Sequence, residues 1–223
     1  MTLSIIIPML NEAPDLPGLL ARLPLRDCHC EVLLVDGGSR DDSVTIARQA
    51  GFRVLESERG RARQMNAGAT AASGELLLFL HADTILPPMA VQAVQSALAD
   101  GQHQWGRFDV HISGRHPMLA VIGGLMNLRS RLTGIATGDQ AMFVTRAAFE
   151  QVAGFPDQPL MEDVELSKRL KRLSPPACLK LKVSTSGRRW ESRGLWRTIW
   201  LMWQLRFAYW RGAPAEQLAR AYR

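Results

Sequence analysis

Residues 76–88 read LLLFLHADTILPP, and this stretch decides the fold. Leu76 to Leu80 is an unbroken apolar run of strand length, with no polar residue at alternate positions to face water. Such a strand is buried on both faces, as in a parallel sheet. The run stops at once at His81-Ala82-Asp83, and Pro87 and Pro88 then open a helix reaching to about Leu98. Strand, short polar loop and helix make the repeating unit of an α/β protein.

The same unit recurs toward the N-terminus. Leu3 to Pro8 is a β-branched run ended by proline, and helical spacing follows over Asp15 to Leu23. Glu31 to Val35 is a second apolar run, stopped by Asp36-Gly37-Gly38-Ser39. Asp41 or Asp42 caps a helix that Gly51 ends, Arg53 to Glu56 is a third strand, and Ala62 to Ala72 is helical. Toward the C-terminus the expected strands are Trp105 to Ile112, Gln140 to Val144 and Leu179 to Val183. The expected helices are Met118 to Leu132, Glu162 to Leu173 and Leu195 to Trp210. The fold class that results is α/β, with a mainly parallel central sheet, helices on both faces and an aromatic-rich C-terminal helix. With 223 residues and no repeat or linker, residues 1–223 read as a single domain. About 1–100 form a nucleotide-binding half, about 101–190 an acceptor half, and about 194–223 a helical tail. Ligands of such sheets gather at the carboxyl ends of the strands, where Asp36 and Asp83 fall.

The 27 Lys and Arg against 21 Asp and Glu give a net charge of +6, which suits an anionic partner. Scattered basic residues and the lack of a matching motif exclude a nucleic-acid binder. Cys28-His29-Cys30 has no second ligand pair at zinc-finger spacing, so these read as ordinary cysteines in a reducing cytosol. Met1 to Leu10 lacks a signal-peptide pattern and no window reaches the length of a membrane span, so the expected location is cytoplasmic.

Five segments occur in a fixed order: SIIIPMLNE (4–12), LLVDGGSRDDS (33–43), GELLLFLHADT (74–84), GDQAMFV (138–144) and LMEDVELSKRL (160–170). Together they resemble family 2 glycosyltransferases of the GT-A fold, most closely a small bacterial subgroup with His-Ala-Asp in place of the usual Asp-x-Asp. The likeness covers residues 3 to 190. It implies an inverting transfer of one sugar from a nucleoside diphosphate sugar donor to an unknown acceptor, with Mg²⁺ or Mn²⁺ as cofactor.

The resemblance places Asp36 on the nucleoside, with Pro8 and Glu12 lining the same pocket; read from spacing alone, Asp36 is a turn residue. Asp83 corresponds to the acid that contacts the metal, where a hard cation offsets charge on the diphosphate. Without the resemblance it reads as a cap before Thr84. His81 replaces the first acid and has three open roles: phosphate contact, metal contact through water, or packing. Arg61, Arg63 and Asn66 fall in Gly60-Arg61-Ala62-Arg63-Gln64-Met65-Asn66, where the family carries an Arg-Asn pair; here Met65 stands in the Arg position. Either guanidinium suits a diphosphate, and a solvated basic turn is the plainer reading.

Asp163, the Asp of the Glu162-Asp163 pair, corresponds to the family's base, which takes the acceptor's proton. The pair opens a helix, whose dipole is expected to keep the carboxylate ionised, although acids also open helices for stability alone. Asp139 and Gln140 are assigned to the acceptor side. Arg189 and Trp190 are similar to the Gln-x-x-Arg-Trp motif of processive relatives, but Ser186 stands where the Gln belongs. The resemblance puts them on the acceptor side, Arg189 at the diphosphate and Trp190 on the pocket wall, and a basic surface turn with a packed Trp explains them equally.

Trp196, Trp200, Trp203, Phe207 and Trp210 recur at helical spacing among arginines. Burial in the core or an oligomer contact explains such a helix; so does peripheral attachment to an anionic membrane at the inner face of the plasma membrane, with a lipid-linked acceptor. Two other functions remain. A nucleotidyltransferase would carry a Gly-rich basic signature near the first strand, where this chain has Asn11-Glu12. A non-catalytic nucleotide-binding or membrane scaffold would release no nucleotide.

Overall fold

The computed structural model describes residues 1–23 and 30–222, and within these the side chains of Arg189, Ser192 and Arg193 are not described. Cys28 and His29 lie outside the described residues. In chain order the elements are β1 (Leu3–Met9), α1 (Leu16–Leu20), β2 (Cys30–Asp36), α2 (Ser43–Gln49), β3 (Arg53–Glu56), α3 (Arg61–Ala71), β4 (Leu76–Phe79), β5 (Thr84–Ile85) and α4 (Ala90–Leu98). There follow β6 (Trp105–Ser113), α5 (Met118–Thr133), a 3-10 turn (Gly138–Gln140), β7 (Met142–Thr145), α6 (Arg146–Gln151), α7 (Glu162–Leu170), β8 (Ala177–Ser186), α8 (Arg188–Arg193), α9 (Leu195–Trp210) and α10 (Ala215–Tyr222).

The strands form one sheet in the order β3-β2-β1-β4-β7-β6-β8-β5. The first four pair in parallel, with Met9 opposite Asp36 and Ile6 opposite Phe79. β7 runs antiparallel between β4 and β6, and β6 pairs in parallel with β8. Because side chains alternate across a strand, the unbroken apolar runs divide between two cores. Leu76, Leu78 and Leu80 join Ile5, Ile7 and Leu34 under α1, α4 and α5. Leu77 and Phe79 join Ile6, Leu33 and Val35 under α3, α6 and α7. Helices therefore cover both faces, as the apolar runs require.

Several boundaries differ from expectation. Gln140 does not begin a strand: the 3-10 turn holds it, and Ala141 with φ of 46° breaks the extended path before β7. The helix expected at Pro87-Pro88 starts later, at Ala90, because β5 pairs with β8 first. The helix beginning at Glu162 stops at Leu170 rather than Leu173.

The tail folds back. Leu205 of α9 and Leu218 of α10 pack on Met161, beside Leu160 and Val164. Tyr209 donates from its hydroxyl to Glu165 Oε2 at 3.3 Å, and the Lys168 ammonium lies 4.7 Å from the centre of its ring. Core burial of the α9 aromatics is not what the structure shows: Trp196, Trp200, Trp203, Phe207 and Trp210 are all exposed. Among the described residues no helix is long and apolar enough to cross a membrane.

Candidate active site

The carboxyl end of β1, the loop after β4, the turn before β7 and the start of α7 border one cleft of about 680 Å³, with α8 and α9 on its far side. That volume is ordinary for a small-molecule site. Pro8 and Glu12 line it from the first strand and its loop, and Arg61 lines it from the first turn of α3. His81, Asp83 and Asp139 border the middle; Glu162, Asp163 and Trp190 complete the wall.

The turn before β7 organises the centre. Thr137 and Gln140 close it: the Gln140 amide donates to the Thr137 carbonyl at 2.9 Å, and the Thr137 amide donates to Gln140 Oε1 at 3.3 Å. Gln140 is fully buried, and its side-chain amide donates to Asn127 Oδ1 and Ser130 Oγ on α5. The Gly138 amide donates to Asp163 Oδ2 at 2.8 Å. A Cβ at position 138 would lie 2.3 Å from His81 Nε2, so any side chain there would displace the imidazole. The imidazole packs on the glycine and faces Asp139, with Nδ1 to Oδ1 at 3.4 Å. One turn thus positions His81, Asp139 and Asp163 together.

Asp163 opens α7 behind Met161, whose φ of 65° is strained for a residue with a side chain. Its carboxylate accepts from the Gly138 and Val164 amides. Those bonds favour the charge, but burial and the adjacent Glu162 outweigh them and push its pKa up to about 6. Loss of solvation thus outweighs the helix terminus, although a pKa of about 6 still leaves the carboxylate mostly ionised at neutral pH, the state expected from the sequence. Burial also raises the Glu12 carboxyl, with Asp83 adding repulsion, so these two acids share one field.

Glu162 is buried and meets the half-exposed Arg61 guanidinium at 3.6 Å. Desolvation opposes the charge on Arg61, yet Glu162, Asp139, Asp163 and Asp83 together hold it more firmly protonated. Asp83 is fixed by its successor: Thr84 bonds the Thr185 hydroxyl on β8 at 3.0 Å and contacts Asp83 Oδ1 at 3.2 Å. Among the described residues no three His, Cys, Asp or Glu side chains converge closely enough to hold a metal by themselves.

The order of strands, the acids at their carboxyl ends and the cleft between them now meet the comparison with known proteins. Residues 4–151 match the family model described as glycosyl transferase family 2. The chain belongs to glycosyl transferase family 2. It is 34% identical over 110 residues to an undecaprenyl-phosphate 4-deoxy-4-formamido-L-arabinose transferase of Pseudomonas savastanoi pv. phaseolicola, covering 44% of this chain and 33% of that protein. It is 41% identical over 91 residues to a PGL/p-HBAD biosynthesis glycosyltransferase of Mycobacterium bovis, covering 37% and 36%. The matches thus span about a third of the length of these curated relatives.

Among solved structures, the mannosyltransferase PcManGT from Pyrobaculum calidifontis, in complex with GDP-Man and Mn²⁺, superposes with a TM-score of 0.68 at 21% identity, covering 92% of this chain and 60% of that one. S. aureus TarS 1–349, in complex with UDP-GlcNAc, superposes with a TM-score of 0.66 at 17% identity, covering 83% and 58%. At these identities the likeness concerns the fold, which is the GT-A fold.

Within this family 2 chain, four residues expected at the ligand do not line the cleft. Arg63 points to the other side of α3, where Asp157 and Glu58 hold its guanidinium, with Nε to Asp157 Oδ1 at 2.8 Å. Asn66 clamps the backbone of Phe155 through both its amide groups. Residues 63 and 66 share one helix face and 61 and 64 another, so Arg61 and Arg63 cannot both turn to the cleft. Gln140 is committed to α5, which removes it from direct contact with an acceptor. Asp36 is buried at the rim, opposite Met9, and accepts from the Gly38 and Ser39 amides. The turn reading therefore holds for its hydrogen bonds. The side chain of Arg189 lies outside those described, although its backbone belongs to α8.

Sequence reading missed Gln64. It lines the cleft, is buried, and donates from Nε2 to the carbonyls of Met9 and Val35 at 2.8 Å each, tying α3 to the ends of β1 and β2. Its spacing of three from Arg61 was the available signal. Thr198, Met202 and Arg206 of α9 also line the cleft, a contribution that only tertiary folding reveals.

Proposed function

We propose that the protein transfers one sugar from a nucleoside diphosphate sugar to an acceptor hydroxyl with inversion at the anomeric carbon. The observation that carries this reading is Asp163. It is a half-buried carboxylate at a cleft wall, oriented by two amides and raised to a pKa of about 6. A base is most useful when its pKa lies near the working pH, where it is ionised yet still able to hold a proton. Asp163 takes the proton of the acceptor hydroxyl as the oxygen attacks the anomeric carbon; the bond to the diphosphate breaks on the opposite side, and the nucleoside diphosphate leaves.

The remaining roles follow from position. Pro8, Glu12 and the turn that fixes Asp36 form the nucleoside end; Asp36 Oδ1 keeps a lone pair beyond its turn bond, while Oδ2 accepts from both the Gly38 and Ser39 amides. Arg61 faces the diphosphate, where its charge is held by surrounding carboxylates and can be shared with phosphate oxygens. Asp139 and Trp190 border the acceptor space, and Gln140 and Gln64 act by holding the walls.

The donor set fits a divalent cation of the Mg²⁺ or Mn²⁺ type only in part. Asp83 is a hard oxygen donor in the cleft, with His81 and Asp139 nearby, and the diphosphate would have to complete the shell. When bound, such an ion offsets the negative charge that grows on the leaving diphosphate. The Mn²⁺ in the PcManGT complex supports this assignment, and the undecaprenyl-phosphate transferase among the relatives supports a lipid-linked acceptor.

The test is to incubate the protein with a panel of nucleoside diphosphate sugars and Mn²⁺, then identify the released group. Free nucleoside diphosphate is expected. Pyrophosphate would assign nucleotidyl transfer instead, and no release would assign a scaffold.

A further inference from the structure

Helix α9 is two-sided in a way the cleft alone does not require. Trp196, Trp200, Trp203, Phe207 and Trp210 are 71%, 67%, 73%, 58% and 77% exposed. At about 100° per residue they fall within an arc of roughly 80°. Thr198, Met202 and Arg206, which line the cleft, and Leu205, which packs on Met161, fall on other sides of the same helix. The aromatic row is therefore not left over from building the cleft or the core. Contiguous exposed apolar surface of this kind marks an interaction face.

We infer that the aromatic face of α9 seats the protein on an anionic phospholipid surface. Three features select that occupant. Four of the five residues are tryptophan, whose amphipathic ring favours the headgroup level over a dry aliphatic core. Beside the aromatic row the helix carries Arg197 and, just beyond its end, Arg211, and it has not one carboxylate. A second copy laid on the same face would set arginine against arginine, whereas anionic lipid supplies the phosphates they lack. An exposed apolar row at the same spacing, Val121, Leu125, Leu128 and Leu132, also occurs on α5.

A seated α9 holds the cleft within about one helix diameter, roughly 10 Å, of the headgroups. A lipid-borne acceptor would then need to extend only its reactive end into the cleft. That corollary rests on the glycosyl-transfer reading; the docking itself does not.

The experiment is co-flotation of the full chain with phosphatidylglycerol/phosphatidylcholine vesicles, together with quenching of tryptophan fluorescence by brominated lipid. Wild type is expected to float with anionic vesicles, to be released by salt and to be quenched. Trp200→Ser/Trp203→Ser should bind about tenfold more weakly or worse. Its unfolding midpoint should be unchanged, because both rings are exposed. A wild type that stays unbound at low salt overturns the inference. So does a double variant that floats as well as wild type, or a wild-type dimer that this substitution dissolves while neither form binds lipid. None of these readouts uses sugar transfer, so failure here is separable from failure of the proposed reaction.

Discussion

The Gly138 amide and Asp163 Oδ2 lie 2.8 Å apart, so the backbone turn before β7 holds the carboxylate that opens α7. The same glycine gives its open face to His81. Gly138→Ala would place a methyl group inside the imidazole. A loss of about 1–3 kcal/mol in urea unfolding is expected from overpacking, with most of it recovered in Gly138→Ala/His81→Ala. Full stability in the single variant would show that the turn is looser than the geometry implies.

The raised carboxyl of Asp163 has a signed consequence for pH. Its pKa goes from an ordinary 3.8 to about 6 in the fold. The folded state therefore binds this proton more tightly than the unfolded chain. The group costs stability progressively as pH rises from about 4 to about 6, and the whole cost is present above that. The stability of Asp163→Asn relative to wild type should improve across that window and level off beyond it. For catalysis the sign is opposite: kcat/KM should fall about tenfold per pH unit below about 6, as the base becomes protonated. A rate that stays flat from pH 7 to pH 5 would contradict this.

The ion pair of Arg61 with Glu162 and its proposed contact with a diphosphate can be separated by substitution. Arg61→Met strands the buried Glu162 beside Asp163 and should destabilise the fold by about 1–3 kcal/mol, reduced from a fully buried pair because the guanidinium is half exposed. Arg61→Met/Glu162→Gln should recover that stability in thermal melts. Affinity for a nucleoside diphosphate, measured by calorimetry, should remain about tenfold or more below wild type in both, since the cation is gone. Recovery of affinity together with stability would make Arg61 a purely structural residue.

Much of this fold is legible in the sequence because short apolar runs without polar alternation, closed by turn residues, read as strands buried on both faces. Leu76 to Leu80 and Glu31 to Val35 show that directly, and the limits of α9 match the expected Leu195 to Trp210. What escaped is set by tertiary partners. β5 is two residues long and exists through its pairing with β8, and the 3-10 turn at Gly138–Gln140 depends on α5 receiving Gln140. At the site, the acids at strand ends were legible, since a rim position follows from the end of an apolar run. The direction of Arg63 and Asn66 followed from helical phase once α3 was known to begin at Arg61. The raised pKa of Asp163 was not legible, because burial by the neighbouring turn decides it.

The central claim is that Asp163 removes the acceptor's proton within the cleft. The most direct measurement compares wild type with Asp163→Asn for two quantities: donor affinity by calorimetry and the initial rate of sugar transfer. Donor affinity within about threefold of wild type, with transfer slowed about 10²- to 10⁴-fold, is the predicted result. Transfer at the wild-type rate by Asp163→Asn would contradict the account.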